Sequence, residues 1–184
     1  MSIDAASPAT LAPALRSLYL VRFGFAIVWA VLLFLTGTEI GPVSGTLLVL
    51  YPLFDVAAIV VDSRAARAGR ASAALYANIA VSLLAAAGLA FAVTSGIPAV
   101  LRVWGVWAVV SGLAQLAAGL VRRSLGGQWP MIISGAISTL AGTSFFLQAS
   151  GENATLSNLA GYAAIGGVFF LVSALRLRRG RTGE

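Results

Sequence analysis

The feature that most constrains the fold is a series of long apolar stretches along the chain. A transmembrane helix needs about 20 consecutive apolar residues, whereas a spanning β-strand needs about 10 and alternates in polarity. Lipid offers the backbone no hydrogen-bond partner, so a continuous apolar run of this length must be helical. The sequence predicts an all-α integral membrane protein with six transmembrane helices, at 18–37, 43–61, 72–94, 100–121, 131–149 and 159–175.

Composition agrees with lipid as the surrounding solvent. Only 10% of the residues are charged, against about 25% in a soluble domain. Cysteine and histidine are both absent, which excludes disulfides and thiolate metal sites and removes the commonest metal ligand. We therefore expect no metal and no cofactor. Ser111 and Ser138 have no base to activate them, so the sequence predicts that the chain is not an enzyme.

The arginines outside the helices predict the orientation. They lie before the first helix, in the second-to-third and fourth-to-fifth loops, and in the C-terminal tail. The other three loops carry Glu39 and Glu152 but no basic residue. Because basic loops stay in the cytoplasm, this bias predicts that both termini are cytoplasmic. We expect a flexible tail at 1–15, a single six-helix domain at 16–179 and a second tail at 180–184.

The loop arginines also indicate a partner. Clustered arginines beside a transmembrane helix attract anionic lipid head groups. No polar domain presents them together, so a nucleic-acid partner is not expected. The arginines predicted to contact lipid head groups are Arg64, Arg67, Arg70, Arg122, Arg123, Arg178 and Arg179.

An internal repeat is indicated by a spacing of 56 residues. It relates Arg67, Arg123 and Arg179, and also Arg22, Asn78 and Ser134. We interpret the chain as three pseudo-repeated helical hairpins, 16–66, 72–122 and 128–178. Parallel repeats of this kind imply a pseudo-threefold axis along the membrane normal.

Small residues suggest where helices meet, because they let two backbones approach closely. The glycines that fit this role are Gly112, Gly119, Gly161, Gly166 and Gly167. Packing alone is their simplest role.

Two segments carry a family resemblance. LYLVRFGFAIVWAVLLFLTG and the following LLVLYPLFDVAAIVVDSR resemble the first hairpin of the HdeD-like membrane proteins, a short-repeat acid-resistance family of bacteria. That family has an Arg early in the first helix and an Asp late in the second, and Arg22 and Asp55 hold these positions here. The resemblance covers about residues 16–180. It implies a bacterial inner-membrane protein connected with acid or envelope stress, without a defined molecular activity.

Arg22 and Asp55 are the leading site candidates. Counted from Arg16 and Asp62, they lie at matching depths of about 9 and 10 Å inside the membrane on consecutive helices. Isolated charges are costly there and are usually paired. We predict an intramembrane ion pair within about 4 Å, and the alternative is a proton or ion relay that uses Asp55.

A polar layer is predicted around this pair. Asn78 and Gln115 lie at similar depths on the third and fourth helices, and Ser134 is the repeat equivalent of Asn78. Interhelical hydrogen bonding is the simpler role for these side chains. A hydrated vestibule is the alternative.

A second charged region is predicted near the outer surface. Arg102 lies about five residues inside the outer end of the fourth helix. It either extends to the outer head groups or pairs with Glu39 or Glu152. Tyr51, Trp104 and Trp107 either line a pocket or pack, and packing is the commoner role of such aromatics.

Two functional hypotheses follow. The first is a non-enzymatic HdeD-like protein acting in acid or envelope stress, or as an accessory subunit with a membrane-protein partner or a second copy. The alternative is a small channel or transporter for protons, ions or a small solute that uses Asp55. Few polar residues lie in the outer halves of the helices, which favours the first.

Overall fold

Six α-helices make up the fold. The computed structural model describes residues 8–65, 73–121, 124, 129–151 and 154–179. Within these residues no β-strand occurs, and every helix is long and apolar enough to cross a membrane. The helices are α1 (Pro8–Thr36), α2 (Pro42–Ala65), α3 (Ala73–Ala92), α4 (Ile97–Val121), α5 (Trp129–Gln148) and α6 (Ser157–Arg179). The predicted all-α, six-helix membrane fold is confirmed.

Helix α1 begins earlier than the sequence indicated. A flexible tail was expected over 1–15, but the helix begins at Pro8. A proline suits the first turn of a helix because its fixed φ is helical and its missing amide hydrogen has no partner there. Residues 8–15 are therefore helical. The remaining tail segments, 1–7 and 180–184, lie outside the described residues.

The two ends of the bundle differ in their connections. We call the end where α1, α3 and α5 finish the distal end, and the opposite end, which carries Arg64 and Arg176, the arginine end. At the distal end Gly96 has a φ of 92°, a left-handed conformation that glycine adopts without strain. The Ser44 side chain accepts a hydrogen bond from the Gly41 amide across 2.9 Å, which stabilises the start of α2.

The helices pack side by side in a closed ring. Each helix contacts its neighbours in the chain, and α6 packs against α1. The closest packing joins α4 to α5 and α1 to α6, while α5 and α6 contact each other least. Contacts between successive hairpins are thus more extensive than contacts within them. Three hairpins around one axis would give this alternation, although the repeat itself stays a prediction.

A seam of glycines brings α4 and α5 together. Gly105, Gly112 and Gly119 are seven residues apart on α4; the first two face Gly142 and Gly135 on α5, and Gly119 lies against Ile132. A Cβ atom on Gly112 would lie 2.7 Å from the Thr139 amide nitrogen. One on Gly142 would lie 2.6 Å from the Gly105 carbonyl oxygen. The glycine seam therefore places two backbones in direct contact.

Of the five glycines predicted to lie at helix contacts, only three do so. Gly112 and Gly119 belong to the seam, and Gly167 lies against Ala26 and Ile27 of α1. Gly161 and Gly166, in contrast, have open space where a Cβ would stand. No neighbouring atom lies within 4 Å of a Cβ at either position, so these two glycines do not mark a close helix contact.

Packing is denser at the distal end than at the arginine end. The buried hydrophobic core contains mainly residues from the distal halves of the helices. Toward the arginine end, buried hydrophobic side chains are few among the described residues, and include Ala58, Ile59 and Ala174. The largest fully buried side chains are all distal or central: Trp29, Leu33, Leu48, Leu89, Leu101, Trp104, Leu156 and Leu159. The distal half is consequently filled with apolar side chains.

Few of the loop arginines fall within the described part of the chain. Arg64 is exposed at the end of α2. Arg67, Arg70, Arg122 and Arg123 lie outside the described residues, and the side chains of Arg178 and Arg179 do so as well. Their contact with lipid head groups stays a prediction.

Candidate functional site

An ion pair joins α1 and α2 in the middle of the bundle. The Nη2 atom of Arg22 lies 3.2 Å from Oδ1 of Asp55, inside the 4 Å expected from the sequence. Arg22 precedes Thr36 by 14 residues and Asp55 follows Pro42 by 13. At about 1.5 Å per residue, both lie about 20 Å from the distal end. The side chains are 16% and 28% exposed, so each charge has its main neutralising partner within the bundle.

The second carboxylate oxygen is also satisfied. Ser82 Oγ on α3 donates a hydrogen bond to Asp55 Oδ2 across 3.0 Å. The Trp107 indole nitrogen on α4 donates to Ser82 Oγ across 3.2 Å. Arg22, Asp55, Ser82 and Trp107 form what we call the polar centre, in which one chain of contacts crosses four consecutive helices.

Arg22 also contacts α6. Its guanidinium carbon lies 4.9 Å from the centroid of the Phe170 ring, within the range of a cation–π contact. Tyr19 stacks on the same ring with centroids 6.3 Å apart. The charge of Arg22 is therefore shared between a carboxylate on one side and an aromatic face on the other.

The predicted polar layer has different members from those expected. Asn78 and Gln115 are exposed on the surface of the bundle and Ser134 is half-buried. No hydrogen bond joins these three to the ion pair within the described chain. Ser82 and Trp107 supply the interhelical hydrogen bonds instead. Residues at similar depths on different helices need not face one another, because successive residues of a helix point in different directions around its axis.

Sequence reasoning missed the role of Ser82. The available signal was its position in the predicted repeat, where a 56-residue step leads from Ser82 to Ser138. Ser138 Oγ lies 2.8 Å from the Tyr162 hydroxyl. Each serine thus bonds an aromatic side chain on the following helix, Trp107 in one case and Tyr162 in the other.

Aromatic side chains separate the polar centre from the distal end. Trp29 stacks on Trp104 with ring centroids 5.3 Å apart, and Trp104 meets Trp107 edge-on at 5.3 Å. The Tyr51 ring lies 4.7 Å from that of Trp29. We call these four residues the aromatic cluster. Tyr51, Trp104 and Trp107 pack together, which agrees with the packing role and not with a pocket between them.

The Trp29 indole has a backbone partner. Its Nε1 donates a hydrogen bond to the Leu47 carbonyl across 2.6 Å, and this carbonyl lies about one turn before the buried Pro52. A proline inside a helix disturbs the carbonyls of the preceding turn and leaves them open to other donors. The carbonyl that loses its helical donor to Pro52 is that of Leu48, the residue next to the one that the indole binds.

The charges predicted near the outer surface do not meet within the described residues. Arg102 and Glu39 are both exposed, and no ion pair joins them in the part of the chain that is described. Glu152 lies outside it. Arg102 borders a groove between α3 and α4.

Comparison with known proteins adds no relative. No family model matches the chain, and neither a curated protein nor a solved structure matches it significantly. The fold and the polar centre therefore carry the functional argument.

Proposed function

We propose that the chain is a non-enzymatic, multi-pass protein of a bacterial inner membrane that acts in acid or envelope stress. Both termini lie in the cytoplasm. The resemblance to the HdeD-like proteins supports the role, and the arginine distribution supports the orientation. A second form of the proposal is an accessory subunit that acts with another membrane protein or with a second copy.

The observation that carries the proposal is the closed core. Both carboxylate oxygens of Asp55 have partners, at 3.2 and 3.0 Å. On the distal side, Trp29 and Trp104 are completely buried against each other. A channel or carrier needs a polar path from one side of the membrane to the other. Among the described residues the distal half of the bundle is filled with buried apolar side chains, which leaves no polar path through it.

A proton or ion carrier remains the second candidate, because one observation favours it. The side chain of Asp55 keeps 28% of its surface exposed, and few buried hydrophobic side chains lie on the arginine side of it among the described residues. An intramembrane carboxylate that can be reached from one side is a candidate for binding a proton or cation. In that case the aromatic cluster would have to open to complete a transport cycle.

Acid survival tests the stress role. Cells that lack the chain should survive acid shock less well than cells that carry it, and Asp55→Asn should behave as the deletion does. Glu39→Gln is the matched control, since Glu39 is exposed and lies away from the polar centre. Equal survival of deletion and parent strains under acid and envelope stress would remove the stress role.

Proton uptake by liposomes separates the two candidates. We expect purified protein in liposomes with an internal pH-sensitive dye to admit protons no faster than protein-free liposomes. A transporter would give uptake that Asp55→Asn abolishes and Glu39→Gln retains. That result would replace the non-transport proposal with the carrier.

A further inference from the structure

An apolar groove opens on the surface of the bundle between α3 and α4. Its volume is about 410 Å³, within the range of small-molecule sites. Much of its wall consists of valines, namely Val81, Val103, Val106 and Val110. Leu84, Val106 and Val110 are 72%, 52% and 41% exposed, so the groove is open to whatever surrounds the protein.

One charged residue borders this apolar surface. Arg102 is the only ionisable residue among those that line the groove. Its guanidinium has no carboxylate within 4 Å in the described part of the chain. A cation that borders apolar surface inside a membrane is costly unless a counter-charge reaches it. The groove therefore combines an apolar trough with an unneutralised positive charge.

The spacing of these features matches the shape of a lipid. Arg102 lies five residues into α4, about 7.5 Å from the distal end, and Val110 lies about 12 Å deeper. One leaflet of the hydrocarbon core is about 15 Å thick. The charge thus lies near the depth of head groups, and the valines extend along the depth of an acyl chain.

We propose that the groove binds one phospholipid of net negative charge, with its phosphate on Arg102 and an acyl chain along the valines. Arginine binds phosphate through two parallel N–H donors. A lipid with a single negative charge neutralises Arg102. A zwitterionic lipid brings its own cation and leaves the net charge in place. Charge balance therefore selects the anionic class.

The same charge disfavours a second copy as the occupant. A twofold contact places the same surface of both protomers together, which would bring one Arg102 toward the other. Like charges across an interface are destabilising. An anionic lipid has the opposite sign and an apolar chain, so it suits both parts of the groove.

Native mass spectrometry tests the proposal. Protein in detergent is mixed with equal amounts of phosphatidylglycerol, which is anionic, and phosphatidylcholine, which is zwitterionic. We expect phosphatidylglycerol to be retained in preference to phosphatidylcholine, with one of the retained molecules dependent on Arg102 and any others held at the arginine end. Arg102→Gln should weaken that retention roughly tenfold, since hydrogen bonds to charged groups are worth about that factor or more. Arg102→Lys keeps the charge and should restore part of the preference, which separates loss of charge from misfolding.

A second experiment fills the groove with a larger side chain. Val106→Phe should lower retention of phosphatidylglycerol, whereas Val168→Phe should not. Val168 is a matched control because it is also 52% exposed but lies on α6. Equal retention of both lipids by the unmodified chain, or unchanged retention in Arg102→Gln, would overturn the proposal. A lipid-free dimer that Val106→Phe dissociates would identify a second copy as the occupant and overturn it too.

Discussion

The hydroxyl of Ser82 donates to the carboxylate of Asp55 across 3.0 Å, which ties the middle of α3 to the middle of α2. The Ser82 hydroxyl oxygen also accepts a hydrogen bond from the indole N–H of Trp107. One small side chain therefore joins three helices. Without it, the carboxylate would lose its second partner and the indole its only partner among the described hydrogen bonds.

Replacing Ser82 with alanine should lower the free energy of unfolding by about 1–2 kcal/mol. A single interhelical hydrogen bond in a membrane bundle averages about 0.6 kcal/mol, but here the buried Trp107 indole is also left unpaired, and a buried unpaired group costs about 1–3 kcal/mol. Thermal unfolding in detergent measures the loss. Thr143→Ala is the control, because the Thr143 hydroxyl is exposed and bonds only its own helix, and it should have little effect. Equal losses in the two variants would contradict the role of Ser82.

The ion pair should appear as a coupling energy between Arg22→Met and Asp55→Leu. Removing one partner of a fully buried pair costs about 3–5 kcal/mol because a charge is left alone. We expect roughly 2 kcal/mol here, since both side chains keep some exposure. The double variant should lose less than the sum of the single variants. Thermal unfolding of all four proteins measures the coupling, and strictly additive losses would show that the groups do not interact.

The glycine seam should be intolerant of a single methyl group. Gly112→Ala places a Cβ about 2.7 Å from the backbone of α5, so the helices must separate, at a cost of about 1–3 kcal/mol. Gly161→Ala is the control, since nothing lies within 4 Å of that position, and alanine is favoured over glycine in a helix by about 0.5–1 kcal/mol. Gly112→Ala should therefore lower the unfolding temperature, and Gly161→Ala should raise it slightly. A seam that tolerates Gly112→Ala as readily as Gly161→Ala would not be a close contact.

Orientation is testable with single cysteines, because the natural chain has none. Glu39→Cys lies beyond the distal end of α1 and should react with an impermeant thiol reagent added to intact cells. Arg64→Cys at the arginine end should react only after the cells are opened. Both positions are exposed, so access to the side chain does not differ between them. Reversed labelling would overturn the cytoplasmic placement of both termini.

The helices and the depth of the ion pair were predictable, whereas the neighbours of the pair were not. Hydropathy and the length of an apolar run indicate a residue's position along the membrane normal. Arg22 and Asp55 were assigned similar positions in this way, and their side chains do meet. Rotation of a helix about its own axis leaves little trace in a uniformly apolar sequence. Asn78 was therefore assigned to the interior although it is exposed, and Ser82, one turn further along, was overlooked.

The α4–α5 contact did leave a signal in the sequence. Gly105, Gly112 and Gly119 recur every seventh residue, as Gly135 and Gly142 do. A period of seven keeps residues on one seam between two helices. The start of α1 left a weaker signal, because two prolines near a terminus suggest an irregular segment as readily as the first turns of a helix.

The pairing of α1 with α6 has a consequence for biosynthesis. Helix α1 leaves the ribosome before α2 to α6, yet one of its two neighbours in the ring is α6. Until that helix arrives, Arg22 has its carboxylate on α2 but lacks the aromatic face of Phe170. A nascent chain that ends before α6 holds an open arc of helices with an uncovered flank at each end. Closure of this ring of six helices therefore joins α1 to α6, and it cannot precede the synthesis of α6.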